Sequence, residues 1–140
     1  VDVRECMRPG PSYMIETIQS LRTEYPQDRL YLLLGADAFN NLDGWKRWEE
    51  LLDLAHIIVI TRPGWDLKPS DAVGKKCKGR IVSSFAEMSL APHGKVLVHS
   101  FTPLMIASSE IRDLIKQDKS VRYLIPNSVL NYIKKHKLYR

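Results

Sequence analysis

Three short stretches carry side chains that could hold a phosphorylated ligand. Ser108, Ser109 and Arg112 open a helical pattern in "MIASSEIRDLI", residues 105–115. Gly35-Ala36-Asp37 closes the apolar run "RLYLLLGAD", and Thr61-Arg62-Pro63-Gly64 closes "HIIVITRPG". The first turn of a helix presents unpaired N–H groups and the positive end of the dipole, which suits a phosphate. An arginine in that turn opposes the dipole and becomes intelligible when an anion is held there by its planar fork of donors. Gly35 lets a ligand approach the backbone, and Asp37 can accept hydrogen bonds from ribose hydroxyls. Each feature also has a plainer reading. Ser108 or Ser109 caps the helix, Arg112 pairs with a carboxylate such as Asp113 or Asp37, and Arg62 is a surface arginine. Their coincidence at three strand ends is what favours a nucleotide site.

The elements that would position these residues follow from periodicity. After the turn-rich "RPGPSY", Met14, Ile15, Ile18, Leu21 and Tyr25 recur at helical spacing, with Ser12 as N-cap and Pro26 closing the segment. "RLYLLLGAD" and "HIIVITRPG" read as buried strands, and "KVLVHSF" as a third. Between the first two, Asp37 to Leu54 reads as one or two helices broken near Asp43-Gly44, with "WKRWEELLDL" amphipathic. Residues 65–94 are the least regular part, with a short helix at Ser70 to Lys76 and a strand near Ile81. Helices from about Ser109 to Lys116 and Pro126 to Lys135 finish the chain, Pro126 suiting a first turn. Strands of near-continuous apolar character alternating with helices predict an α/β fold, a doubly wound parallel sheet. Ligands of such sheets bind beyond the strands' carboxyl ends, so the three stretches are expected to share one rim.

Composition limits the function classes. The 140 residues are 44% hydrophobic and 26% charged, enough for one globular domain with a modest core. No apolar run reaches the length of a membrane span. Cys6 and Cys77 lack a metal-type spacing, which predicts reduced thiols and a cytoplasmic location. The net charge of +5 is concentrated: from Lys116 onward seven basic residues face one acid, Asp118. Lys134, Lys135 and Lys137 fall at the end of the helix "PNSVLNYIKKHK", where cations complement the dipole. A solvated basic helix end is expected there, and no nucleic-acid partner. Trp45 and Trp48, three apart on the expected helix, would share a face. Trp48, followed by Leu51, Leu52 and Ala55, reads as core; composition alone leaves Trp45 open between core and pocket. His56 and His99 read as structural residues on strands, His93 and His136 as surface residues.

Taken in order, "RPGPSY", "LLLGADAFNNLDGWKRWEELLDLAHIIVITRPG", "IASSEIRDLI" and "LIPNSVLNYIKKHKLY" resemble the bacterial nicotinate mononucleotide adenylyltransferases over nearly the whole chain. Residues 65–94 are the variable exception. The resemblance implies a Rossmann-like sheet of the nucleotidyltransferase type. It also implies a reaction joining nicotinate mononucleotide to the AMP part of ATP with Mg²⁺, yielding deamido-NAD and pyrophosphate. By the same resemblance Gly35 and Asp37 face ATP, while Ile106, Ser109 and Arg112 grip its phosphates. Trp45 stacks on the pyridine, with Tyr13, Met14 and Arg62 near the mononucleotide.

The sequence departs from the family pattern in places. Met14 stands where the family reads threonine, and Ala107 where it reads serine. Met14 offers no hydroxyl, so preference between nicotinate and nicotinamide is left open. None of the four histidines forms the family's His-x-Gly-His pair, and Val1 is not a methionine. The expectation is therefore a C-terminal part, residues 1–140, of one nucleotidyltransferase domain, lacking a piece of about 70 residues, the size of two βαβ units. Direct attack of the mononucleotide phosphate on ATP's α-phosphorus needs positioning and charge stabilisation rather than a protein nucleophile. Arg112 would then stabilise the leaving pyrophosphate, Mg²⁺ would ride on the ATP phosphates without a dedicated cage, and this chain alone would not turn over. A non-catalytic nucleotide-binding fragment and a sister enzyme adenylylating phosphopantetheine are the alternatives. Homo-oligomerisation is left open.

Overall fold

The computed structural model describes residues 2–61, 67–100 and 106–139. The chain divides into two compact units, Val1–Thr102 and Pro103–Arg140.

The first unit is built on a four-stranded parallel sheet. β1 (Tyr31–Gly35), β2 (His56–Thr61), β3 (Ile81–Val82) and β4 (Val96–Ser100) are arranged in the order β1-β2-β4-β3. The helices are α1 (Arg4–Met7), α2 (Met14–Glu24), α3 (Ala36–Asn40), α4 (Leu51–Leu54), α5 (Asp71–Cys77) and α6 (Phe85–Met88). Every strand pair is parallel, so Gly35 lies opposite Ile60, Ile60 opposite His99, and Thr61 opposite Ser100. The carboxyl ends of β1, β2 and β4 thus share one edge, as the α/β pattern predicts.

Alternation along the strands decides which residues meet. Leu32, Leu34, Ile57, Val59 and Val96 join Ile15 and Ile18 of α2, Phe39 of α3, Leu51 and Leu52 of α4, and Val73 and Cys77 of α5 in the main core. Ile58 and Leu97, one residue out of step, pack with Met88 of α6 in a second, smaller cluster. Two faces covered by helices make the sheet doubly wound. β1 differs from the continuous burial its composition predicts. As an edge strand among the described residues it is buried on one face, and Tyr31 and Leu33 are exposed.

The segment between β1 and β2 departs most from the sequence reading. Only Trp48 to Leu54 of the expected amphipathic helix is helical, as a 3₁₀ turn (Trp48–Glu50) running into α4. A separate 3₁₀ turn spans Leu42–Gly44. Between them Arg47 adopts a left-handed backbone, φ +52°, which no helix accommodates. Trp45 and Trp48 therefore do not lie on one helix face. Both are half-buried and pack against the main core. One expected cap is also corrected. Tyr13, not Ser12, occupies the N-cap of α2, because Ser12 Oγ donates instead to the carbonyl of Glu5 at 3.3 Å. In the 65–94 segment Ser70 does cap α5, accepting from the Val73 N–H at 3.4 Å.

His56 is fully buried at the start of β2, its ring stacked on Tyr31 at 5.2 Å. Nδ1 lies 3.2 Å from the Lys95 N–H, which can only donate, and Nε2 lies 3.2 Å from the Ala91 carbonyl, which can only accept. The ring is therefore neutral, with its proton on Nε2. Burial, the dominant cause, pushes its pKa below the ordinary imidazole value, outweighing the Ala91 hydrogen bond. Unfolding releases the ring to an ordinary pKa, so the unfolded chain binds a proton that the fold refuses. Stability is expected to be full above about pH 6.5 and to fall as pH drops below it toward the folded pKa. Urea midpoints at pH 7.5 and 5.5 measure this; equal midpoints would reject the neutral ring. His93, His99 and His136 are exposed, with His99 tilted against Phe85 at 6.3 Å.

The second unit holds α7 (Ser108–Lys116) and α8 (Asn127–Lys135). Among its described residues Val121 and Ile133 are buried. α8 starts one residue later than predicted, with Pro126 at its N-cap. Cys6 is exposed and Cys77 buried, and neither forms a disulfide. Among the described residues no helix is long and apolar enough to cross a membrane.

Candidate functional site

In the first unit a cavity forms where two turns of chain meet. One turn is "RPGPSY", in which Gly10 takes φ +84° and lets the chain reverse into α2. It delivers Tyr13 and Met14 to the helix start, and no side chain caps that start. The other turn is the 3₁₀ segment Leu42–Gly44, anchored by the fully buried Leu42. The Trp45 N–H donates to the Leu42 carbonyl at 3.0 Å, and Trp45 then leaves the turn with an extended backbone. Part of its indole packs on the main core while the residue also lines the cavity.

The cavity measures about 370 Å³ and is bounded by Glu5, Ser12, Tyr13, Met14, Gly44, Trp45 and Lys46. Two aromatic rings, a thioether and an ammonium around one concave space suit a flat ring bearing polar substituents. Lys46 ties the two turns together. Its Nζ lies 4.0 Å over the Tyr13 ring and 2.9 Å from Glu16 Oε1 on α2. Glu16 also faces Arg8 at 3.6 Å. The hydrogen bond from Lys46, more than the charge of Arg8, holds the Glu16 carboxyl below the usual carboxylate range.

At the carboxyl end of β1, Gly35 and Asp37 form a second feature. Gly35 sits at the N-cap of α3 with an ordinary extended backbone that any residue adopts. A Cβ there would come 2.6 Å from Asp37 Oδ1. Asp37 is exposed in the first turn of α3. Gly35 thus leaves room for that carboxylate at the strand end where ligands of parallel sheets bind. Arg62, expected at the end of β2, lies outside the described residues.

Ile106, Ser109 and Arg112 belong to the second unit. Ala107 occupies the N-cap of α7 with an extended backbone, and no side chain caps the helix. This corrects the expectation that Ser108 or Ser109 caps: both lie inside the first turn, one and two residues too late. No described side chain takes up the first N–H groups of α7, and Ile106, Ser109 and Arg112 are exposed in and beside its first turn. Asp113, one of the carboxylates considered for Arg112, pairs with Lys116 at 3.7 Å. Among the described residues Arg112 has no ion-pair partner.

Tyr13, Met14 and Trp45 are therefore brought onto one cavity from positions some 30 residues apart. Lys46 was missed by the sequence reading. Its neighbour Trp45 was the available signal, but the partners that fix its ammonium, Tyr13 and Glu16, are remote in sequence.

Comparison with known proteins shows what the chain as a whole is similar to. A probable nicotinate-nucleotide adenylyltransferase of Marinomonas sp. (strain MWYL1) is 42% identical over 141 residues, covering 100% of this chain and 64% of the relative. One of the same description from Pseudomonas putida (strain W619) is 45% identical, with the same coverage. The chain thus spans 64% of the length of these curated relatives. The solved structure of Plasmodium falciparum nicotinic acid mononucleotide adenylyltransferase complexed with APC superposes with a TM-score of 0.61 at 19% identity, covering 94% of this chain and 60% of that one. At that identity the likeness establishes the fold. A family model described as cytidylyltransferase-like matches residues 3–114, a span that contains the parallel sheet, the Tyr13–Trp45 cavity, the Gly35–Asp37 strand end and the exposed start of α7. With that match across most of its length, the chain belongs to the cytidylyltransferase-like family.

Proposed function

We propose that this chain is the part of a nicotinate-nucleotide adenylyltransferase that holds the pyridine mononucleotide and the ATP phosphates. The observation that carries this reading is the cavity on which Trp45, Tyr13 and Met14 converge. Its aromatic walls suit a pyridine ring, and the curated relatives bear that activity in their names. The uncapped first turn of α7 with Arg112 suits a polyphosphate, and Gly35 with Asp37 suits the ribose side of ATP. The reaction is direct: a phosphate oxygen of the mononucleotide attacks the α-phosphorus of ATP, the α–β bridge breaks, and pyrophosphate leaves with the electron pair. In that scheme Trp45 and Tyr13 orient the nucleophile, and Arg112 offsets the charge growing on the leaving group.

Among the described residues no group of three or more His, Cys, Asp or Glu is placed to hold a metal ion. We propose that Mg²⁺ enters as part of the MgATP substrate, neutralising its phosphates. The 140 residues contain no His-x-Gly-His, and we propose that they bind without turning over. Incubating the purified chain with MgATP and nicotinate mononucleotide, with product read by chromatography, tests this. Binding of the mononucleotide without deamido-NAD is the expected result. Steady deamido-NAD synthesis would overturn the inactivity, and absence of mononucleotide binding would overturn the function.

A further inference from the structure

We infer that the cavity between α7 and α8, in the second unit, binds a small apolar carboxylate carrying one negative charge. The cavity measures about 280 Å³. Its apolar wall is Ile115 from α7, Val121 from the connecting loop, and Leu130 and Ile133 from α8. Lys119, Lys134, Ser120 and Asp118 complete the lining. A cavity of about 150 Å³ takes one benzene ring, so this one has room for a ring with a short acidic arm. All of these residues belong to the second unit, and none has a part in the function proposed above.

The polar part of the lining favours an anion. Lys119 stands in the loop and Lys134 on α8, and among the described residues neither has an ion-pair partner. Asp118 shares the lining, yet its carboxylate pairs with neither lysine. Two ammoniums and one carboxylate leave a net charge of +1, which a monoanion balances and a dianion overshoots. The Asp118 and Lys119 N–H groups are spent closing the end of α7, on the carbonyls of Ile115 and Leu114 at 3.0 and 2.9 Å. Ser120 Oγ accepts from the Arg122 N–H at 3.3 Å, which leaves its own proton to donate. The Ser120 and Val121 N–H groups, in the same loop, have no partner among the described residues and are further donors. Donors around an apolar floor suit a ligand with an anionic head and an apolar body. Both lysines are exposed, so solvent holds each contact to about threefold in affinity.

The test is titration of the 140-residue chain, followed by two-dimensional amide NMR, with hydrocinnamate, its neutral amide and benzylmalonate as probes. Hydrocinnamate should shift the Val121, Leu130 and Ile133 amide signals saturably, and its amide should bind about tenfold more weakly. Benzylmalonate, with a second carboxylate, should bind no tighter than hydrocinnamate. Lys119→Met and Lys134→Met keep the apolar stem of each side chain. Each should weaken hydrocinnamate about threefold and leave its amide unchanged. Signals remote from the cavity report whether each variant keeps its fold. Absence of saturable shifts at those three residues, equal affinity for acid and amide, or tighter binding of benzylmalonate would overturn the inference. So would lysine variants that leave hydrocinnamate unchanged. None of these outcomes bears on the Tyr13–Trp45 cavity.

Discussion

Trp45→Ala is expected to weaken binding of nicotinate mononucleotide to this chain by about tenfold to a hundredfold, the range for removing an aromatic platform under a heterocyclic base. The indole is one of two aromatic rings on the cavity, and the ligand's ring loses that stacking surface when it is removed. Because Trp45 also packs on the main core, some of the loss could reach the fold instead of the ligand. Trp45→Phe separates the two: it keeps an aromatic face and should recover most of the affinity. Calorimetry on both variants, with thermal melting alongside, gives the result. A Trp45→Ala chain that melts normally and binds within twofold of the unaltered one would remove the pyridine from this cavity. The same substitution should matter little to an enzyme that adenylylates phosphopantetheine, which has no flat ring to stack.

Arg112→Ala is expected to cut affinity for ATP by about tenfold or more while changing AMP affinity little. A guanidinium makes charge-assisted, bidentate contacts to phosphate oxygens, at about 1.5–3 kcal/mol per hydrogen bond to a charged group. ATP offers the β- and γ-phosphates that AMP lacks. Arg112 is exposed in the first turn of α7, and its neighbour Asp113 is engaged with Lys116, so little internal structure should depend on it. The ratio of ATP to AMP affinity is therefore a cleaner reading than either value alone. Arg112→Lys should recover part of the ratio, since a point charge replaces the planar fork. Equal losses for ATP and AMP would place Arg112 away from the polyphosphate.

The architecture was largely legible in the residues. Strand ends at Gly35 and Thr61, the helix from Met14, the short helix near Ser70 and the strand at Ile81 all stand within a residue or two of their predicted places. These features are local: period, apolar run length and the glycines and prolines that interrupt them act within a few residues. Parallel pairing followed from the same pattern, because strands apolar along their length must be covered on both faces. Its limit shows at β1, where Leu33 is as apolar as Leu32 and Leu34 yet exposed. Composition marks a residue for burial, but the neighbour that buries it is supplied by the fold.

The candidate site was legible as a set of residue types and illegible as a place. The motifs in sequence order singled out Tyr13, Met14, Trp45 and the start of α7 before any geometry was known. The turn around Trp45 was misread as helix because Trp45, Trp48, Leu51 and Leu52 have helical spacing. The buried Leu42 and the left-handed Arg47 break that regularity instead. Likewise serines before a helix look like caps, although Ala107 takes the N-cap position. Only the tertiary structure could join Lys46 to Tyr13 and Glu16. That contact depends on α2 and the Leu42–Gly44 turn being anchored in one core by Ile15 and Leu42. The sequence by itself determined the chemistry available and the sheet that carries it. Packing of residues remote in the chain decided which groups share a cavity, because contact follows from how buried surfaces fit together and not from distance along the backbone.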